Sequence, residues 1–198
     1  MEKKVTNLMK AGVLSTAAAL LILVGPSAVT AEKVTQVAAS STMQVGLNWK
    51  DFHSVSGNCT MKFPEYPQHV SENMNVPEEG YNLKYDAYIS ASEQKTVYML
   101  LIAQYPEFVN ESYARMSLES FLNGILSHNP GNQLIFADLT LVDGHEALDF
   151  FIRTGGVYFK GRAMMVKNSL YLMAMECEVK TYDEAHYNHF ITSFQLAK

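Results

Sequence analysis

Three pairs of turn residues at regular spacing constrain this chain more than any other feature. Asp143-Gly144, Gly155-Gly156 and Asn168-Ser169 separate four strand-like runs, 133–142, 145–154, 157–167 and 170–179. Asp-Gly and Gly-Gly suit the primed hairpin turns, whose twist matches that of the flanking strands; Asn-Ser is a weaker version of the same signal. The spacing therefore predicts a four-strand antiparallel meander.

Two-residue turns fix register, and register decides which side chains share a face. One face then collects Ile135, Ala137, Leu139, Leu141, Leu148, Phe150, Ile152, Phe159, Ala163, Met165, Leu170 and Leu172, a continuous core face. The opposite face mixes Phe136, Phe151, Met164, Tyr171, Met173 and Met175 with charges. On it Asp138 should face Asp149, and Asp149 should face Arg162. Directly opposed carboxylates repel and need a cation, a proton or water between them. Arg162 can supply the cation, so the row reads either as an ion-paired, half-solvated sheet face or as a small polar site. In the second case its carboxylates could bind a cation or work as an acid/base pair.

Helices flank the meander. Leu118, Phe121, Leu122 and Ile125 recur at helical spacing and predict a helix near 115–128, stopped by His128-Asn129-Pro130-Gly131. Thr181 and Glu184 form a T-x-x-E capping box ahead of a final helix with the stripe Tyr187, Phe190, Ile191 and Phe194. Earlier, Cys59, Met61 and Phe63 alternate with polar residues as a half-buried strand, ended by Pro64 and Pro67. Runs 84–90 and 96–105 are further strands, the second apolar on both faces and so central and covered. The expected class is α+β, a central antiparallel sheet of about six strands with helices packed on it.

The first 31 residues read as a secretory signal peptide. Lys3, Lys4 and Lys10 precede an uncharged run over 11–25, and Val29-Thr30-Ala31 offers the small residues a signal peptidase inspects. The run falls short of the ~20 apolar residues that span a bilayer, so no stable membrane anchor is expected after cleavage. Residues 32–46 form a polar tether, and one domain covers 47–198. The expected location is periplasmic or secreted.

Composition narrows the function. The 198 residues are 48% hydrophobic and 18% charged, with a net charge of −5. That is too apolar for a disordered chain. Without the leader, 12 basic residues stand against 19 acidic ones, a net charge of −7 that opposes binding to nucleic acid. Cys59 and Cys177 would meet an oxidising compartment, which makes them a candidate disulfide; two buried free thiols are the alternative. His186 and His189 lie three apart near Asp183 and Glu184, without the spacing and third ligand of a zinc site. No G-x-S-x-G elbow, dinucleotide loop, P-loop or CxxC pair occurs. The residues call for no metal and no cofactor.

The order of motifs resembles the Mog1/PsbP-like group, in particular its exported bacterial members of uncharacterised role. The resemblance rests on Trp49-x-x-Phe52, Cys59-x-Met61-x-Phe63-Pro64, Tyr105-Pro106 and a helix around 118–126. It continues through Gly161-Arg162, Asn168-Ser169-Leu170-Tyr171 and Phe190-x-x-Ser193-Phe194, so that it covers about 47–196. It implies an α/β/α sandwich and action by binding: one kind of member attaches to a photosystem, another to a small GTPase. Neither partner suits a chain with this leader.

The expected function is thus an exported, non-enzymatic binding or accessory module with an unknown protein or small ligand as partner. The alternative is a small-molecule or metal-binding protein, or a hydrolase, built on Asp138, Asp149 and Arg162. A large exposed apolar patch would favour a protein partner, and a concave site converging on the aspartates a small ligand.

Overall fold

The computed structural model describes residues 48–76, 80–92 and 95–197. The leader and tether expected over 1–31 and 32–46 lie outside these residues.

The first elements among the described residues are β1 (Lys50–Ser54) and β2 (Cys59–Phe63), then β3 (Gln68–Val76), β4 (Tyr81–Ala91) and β5 (Val97–Gln104). A short 3₁₀ turn leads into α1 (Ala114–His128). The meander follows as β6 (Asn132–Val142), β7 (His145–Thr154), β8 (Val157–Val166) and β9 (Ser169–Glu178). A second 3₁₀ turn, α2 (Glu184–Thr192) and β10 (Gln195–Leu196) complete it. Seven strands make the central sheet in the order β3-β4-β5-β9-β8-β7-β6, antiparallel at every pairing. β1, β2 and β10 form a separate three-stranded sheet. The sequence suggested about six central strands. The seventh is β3, whose side chains are largely exposed and whose alternating apolar residues Val70, Met74 and Val76 are interrupted by Glu72.

Two cores sandwich the central sheet. On one face α1 sets Leu118, Phe121, Leu122 and Ile125 against Leu101, Phe150, Ile152, Met165 and Leu172. On the other, α2 and the small sheet set Phe63, Met61, Tyr187, Phe190 and Ile191 against Tyr98, Leu100, Met164, Tyr171, Met173 and Met175. Burying an aromatic or aliphatic side chain of this size contributes about 1.5–3 kcal/mol, so both layers are needed to hold the sheet. Gly161 lies where no side chain fits: a Cβ there would stand 2.6 Å from the Met173 carbonyl oxygen and 2.9 Å from the Phe150 ring.

Several expectations need correction. Asp143 and Gly144 take φ of 52° and 85°, as a primed turn requires. The third turn, however, is Lys167-Asn168, one residue earlier than expected, with Lys167 at φ 54°. Asn168 is held by Tyr105, the residue after β5: its carbonyl accepts from Tyr105 N at 2.8 Å and its side-chain amide donates to the Tyr105 carbonyl. The change moves the β8–β9 pairing by two residues, which keeps every side chain on its expected face.

On β6, Ala137, Leu141 and Ile135 are exposed rather than in the core. Among the described residues β6 is an edge strand with a neighbour on one side only, and a bulge between Leu134 and Phe136 leaves Ile135 without a partner on β7. The expected capping box also fails. Asp183 caps α2, its Oδ1 accepting from Ala185 N at 2.8 Å and His186 N at 3.0 Å. Thr181 belongs to the preceding 3₁₀ turn, and Glu184 is engaged elsewhere.

Candidate functional site

The register places Asp138 opposite Asp149 and Asp149 opposite Arg162, in one row across β6, β7 and β8. Arg162 clasps Asp149 with two bonds, Nε to Oδ1 at 2.6 Å and a terminal nitrogen to Oδ2 at 2.8 Å. This fork geometry is the strong form of the pair. The bond to Asp149 outweighs burial and holds the Arg162 guanidinium still more firmly protonated. Asp138 is exposed at the sheet edge, and no ion pair reaches it among the described residues.

The neighbouring row was not foreseen. Phe136 faces Phe151, Phe151 faces Lys160, and Lys160 faces Met175. Lys160 is only 7% exposed. Its Nζ donates to Tyr182 Oη at 2.8 Å and to the Glu184 oxygens at 2.8 and 2.9 Å. Four rings surround it, with Tyr187 nearest at 4.3 Å and Phe151, Tyr182 and Phe136 at 5.2, 5.5 and 5.9 Å. Cation–π attraction of this kind strengthens as the ammonium leaves water. Burial pushes the Glu184 carboxyl up, but the hydrogen bonds from Lys160 and Tyr182 outweigh it and leave the group below its ordinary value. Tyr182, half-buried and bonded to Glu184, is pushed the other way. A signal existed in the sequence: Lys160 is two residues from Arg162 and so shares its face.

Together the two rows form a polar and aromatic surface beside α2, open toward β6. Among the described residues, half of the large exposed apolar side chains lie on this one strand: Leu134, Ile135, Phe136 and Leu141, with Leu141 at 69% exposure.

Other clusters sit apart from it. His69 Nε2 lies 2.8 Å from Asp86 Oδ1, and the His69 ring stacks on Tyr88 at 4.5 Å. Tyr88 Oη in turn meets Ser54 and Ser56 at 3.0 and 3.1 Å. A cleft of about 330 Å³ on the small sheet is lined by Asp51, Phe52, His53, Lys62, Ser193 and Gln195, and includes none of Asp138, Asp149 and Arg162. His189 and His186 pack around Trp49, at 4.7 and 6.3 Å between rings. Cys59 and Cys177, the candidate disulfide, are both buried as free thiols in the second core. Burial pushes Cys59 up to about 12, and burial with the charge of Glu176 pushes Cys177 up to about 11. Among the described residues, no three His, Cys, Asp or Glu side chains converge as a metal site. No helix among them is long and apolar enough to cross a membrane.

The architecture is α+β, with an antiparallel central sheet covered on both faces. No protein-family model matches the sequence, and no curated protein matches it. Among solved structures, cyanobacterial PsbP (CyanoP) from Synechocystis sp. PCC 6803 is similar, with a TM-score of 0.53 at 13% sequence identity. The match covers 79% of this chain and 98% of that one. The chain has a PsbP-like fold.

Proposed function

We propose that the chain is an exported, non-enzymatic binding or accessory module that meets a protein partner along the open β6 side of its central sheet. The observation that carries this reading is the gathering of Leu134, Ile135, Phe136 and Leu141 in exposed positions on one strand. A long edge strand with exposed apolar side chains on both of its faces is a ready template for pairing with another chain. The PsbP-like fold supports it, since the family resemblance implies action by binding. The aspartate row supports a small-molecule or hydrolytic site less well. Both oxygens of Asp149 are engaged by Arg162, and the described cleft lies on the small sheet.

A photo-crosslinking residue at position 135, with position 70 on β3 as control, tests the surface in the cells that make the protein. The expected result is a discrete adduct from 135, absent from 70 and lost when Phe136→Glu is added. Equal adducts from both positions, or none from 135, would overturn the reading. Mass spectrometry of the purified protein tests export. A chain beginning at Glu32 is expected, and recovery only from the cytosol with Met1 retained would refute it.

A further inference from the structure

The two edges of the seven-stranded sheet are built differently. β3 ends it with QHVSENMNV, in which His69, Ser71, Glu72 and Asn73 are exposed. Polar and charged side chains of that kind discourage an edge from recruiting another strand. β6 ends it with NQLIFADLTLV, where Leu134, Ile135, Phe136 and Leu141 are all exposed and the single charge is Asp138, whereas Val70 is the one large apolar side chain described as exposed on β3. An edge strand turns a row of backbone N–H and C=O groups away from its neighbour. No strand among the described residues takes up those of β6.

Asp138 decides what can. It stands at the open end of a row in which the next residue, Asp149, is also an anion and already holds both bonds from Arg162. A strand added to β6 would set one side chain directly opposite Asp138 on the same face. Opposite charges across such a pair attract and like charges repel. A cation there completes the row, so that each of the two carboxylates has a positive neighbour. A second copy of this chain answers poorly: its β6 brings no cation, and two-fold pairing centred on Asp138 would oppose two carboxylates. Phe136, two residues away on that face and backed by Phe151 at 6.0 Å between rings, offers apolar cover for the stem of a long cationic side chain.

We infer that β6 accepts an extended segment of another protein as an added strand, and that it selects a segment carrying lysine or arginine opposite Asp138. This rests on the proposed β6 docking surface and names the chemistry of its partner.

The test uses two fluorescent nine-residue peptides of alternating threonine and valine, one with a central lysine and one with a central glutamate. Binding to the purified full chain is read by anisotropy, and its location by amide chemical shifts. The lysine peptide should bind at least about fivefold more tightly than the glutamate peptide, as expected for a cross-strand charge pair. Its shifts should concentrate on 132–142. Asp138→Asn should abolish the preference and Asp138→Lys should reverse it. Equal binding of the two peptides, shifts centred on 68–76, or self-association of the unaltered chain through β6 would each overturn the inference. If neither peptide binds while position 135 still crosslinks a partner, strand addition is wrong and the docking surface stands. If position 135 captures nothing, the docking reading itself falls.

Discussion

Lys160 Nζ lies 2.8 and 2.9 Å from the two carboxylate oxygens of Glu184, and a cation withdrawn from water thereby fastens β8 to the first turn of α2. The two partners are not equivalent: Lys160 is buried, whereas Glu184 is exposed. Removing the buried charge and removing its counter-ion should therefore have different consequences. Lys160→Met keeps an apolar stem among four rings and leaves Glu184 to water, and should change stability by less than about 1 kcal/mol. Glu184→Gln leaves the ammonium with the Tyr182 hydroxyl and the rings, and should cost about 1–3 kcal/mol. Urea titration of both variants checks the order; a greater loss in Lys160→Met would contradict it.

One buried and one half-buried carboxyl should give opposite pH signatures. For Asp86, burial raises the pKa, but hydrogen bonds from Ser71, His69 and Ser56 and the charge of Lys84 outweigh it, so the folded value lies below the ordinary one. The unfolded chain then binds more protons between the two values. The stabilisation is complete above the ordinary aspartate range near ~3.9 and fades as pH falls through the folded value. Asp86→Asn should lower stability at neutral pH by about 1–3 kcal/mol and flatten the acid limb of the stability curve.

Glu176 behaves in reverse, because burial alone raises its folded pKa. Its ionisation opposes folding once pH climbs past the unfolded value near ~4.3. Glu176→Gln should stabilise the protein at pH 7, and the gain should disappear in acid. Thermal melts across pH 3–7 separate the two residues. A gain that persisted in acid would assign the effect to packing instead.

Gly161→Ala places a methyl group 2.6 Å from the Met173 carbonyl oxygen, a backbone atom that a rotamer change cannot move. The sheet must shift, and overpacking of this kind should cost about 1–3 kcal/mol. A chemical-denaturation midpoint equal to that of the parent would refute the close approach.

Cys59 and Cys177 should resist a thiol reagent at neutral pH, since burial keeps both as thiols and only the thiolate attacks. Both should react fully in denaturant without reductant. If denaturant exposes no reactive thiol until reductant is added, the two are bonded in the protein as cells make it.

Legibility from sequence followed local chemistry. The meander, its two faces and the row Asp138–Asp149–Arg162 were readable because Asp143-Gly144 and Gly155-Gly156 set register, and register sets neighbours. The stripe of α1 was readable because Leu118, Phe121, Leu122 and Ile125 repeat with the helix. What escaped depended on tertiary context. On β3 the apolar alternation of Val70, Met74 and Val76 is broken by Glu72, so the strand is marked out by its pairing with β4 rather than by a clean period. Lys167 adopts a positive φ because Asn168, the better candidate for it, is anchored on Tyr105. Glu184 fits a capping pattern by spacing, yet a lysine 24 residues earlier claims it. The Lys160 enclosure was hidden because a single lysine in an apolar run reads as a solvent-facing residue.

The pairing of β10 with β2 joins residues 195–196 to 59–60. Contacts between segments so distant in the chain carry a large loop-closure entropy, whereas the meander closes through two-residue turns. The β6–β9 hairpins should therefore assemble early and the small sheet late. Until it docks, Met164, Met173, Met175 and Tyr98 stand without their cover, and this half-built species is the one most prone to aggregate. A chaperone that guards this protein would have that methionine-rich face to recognise.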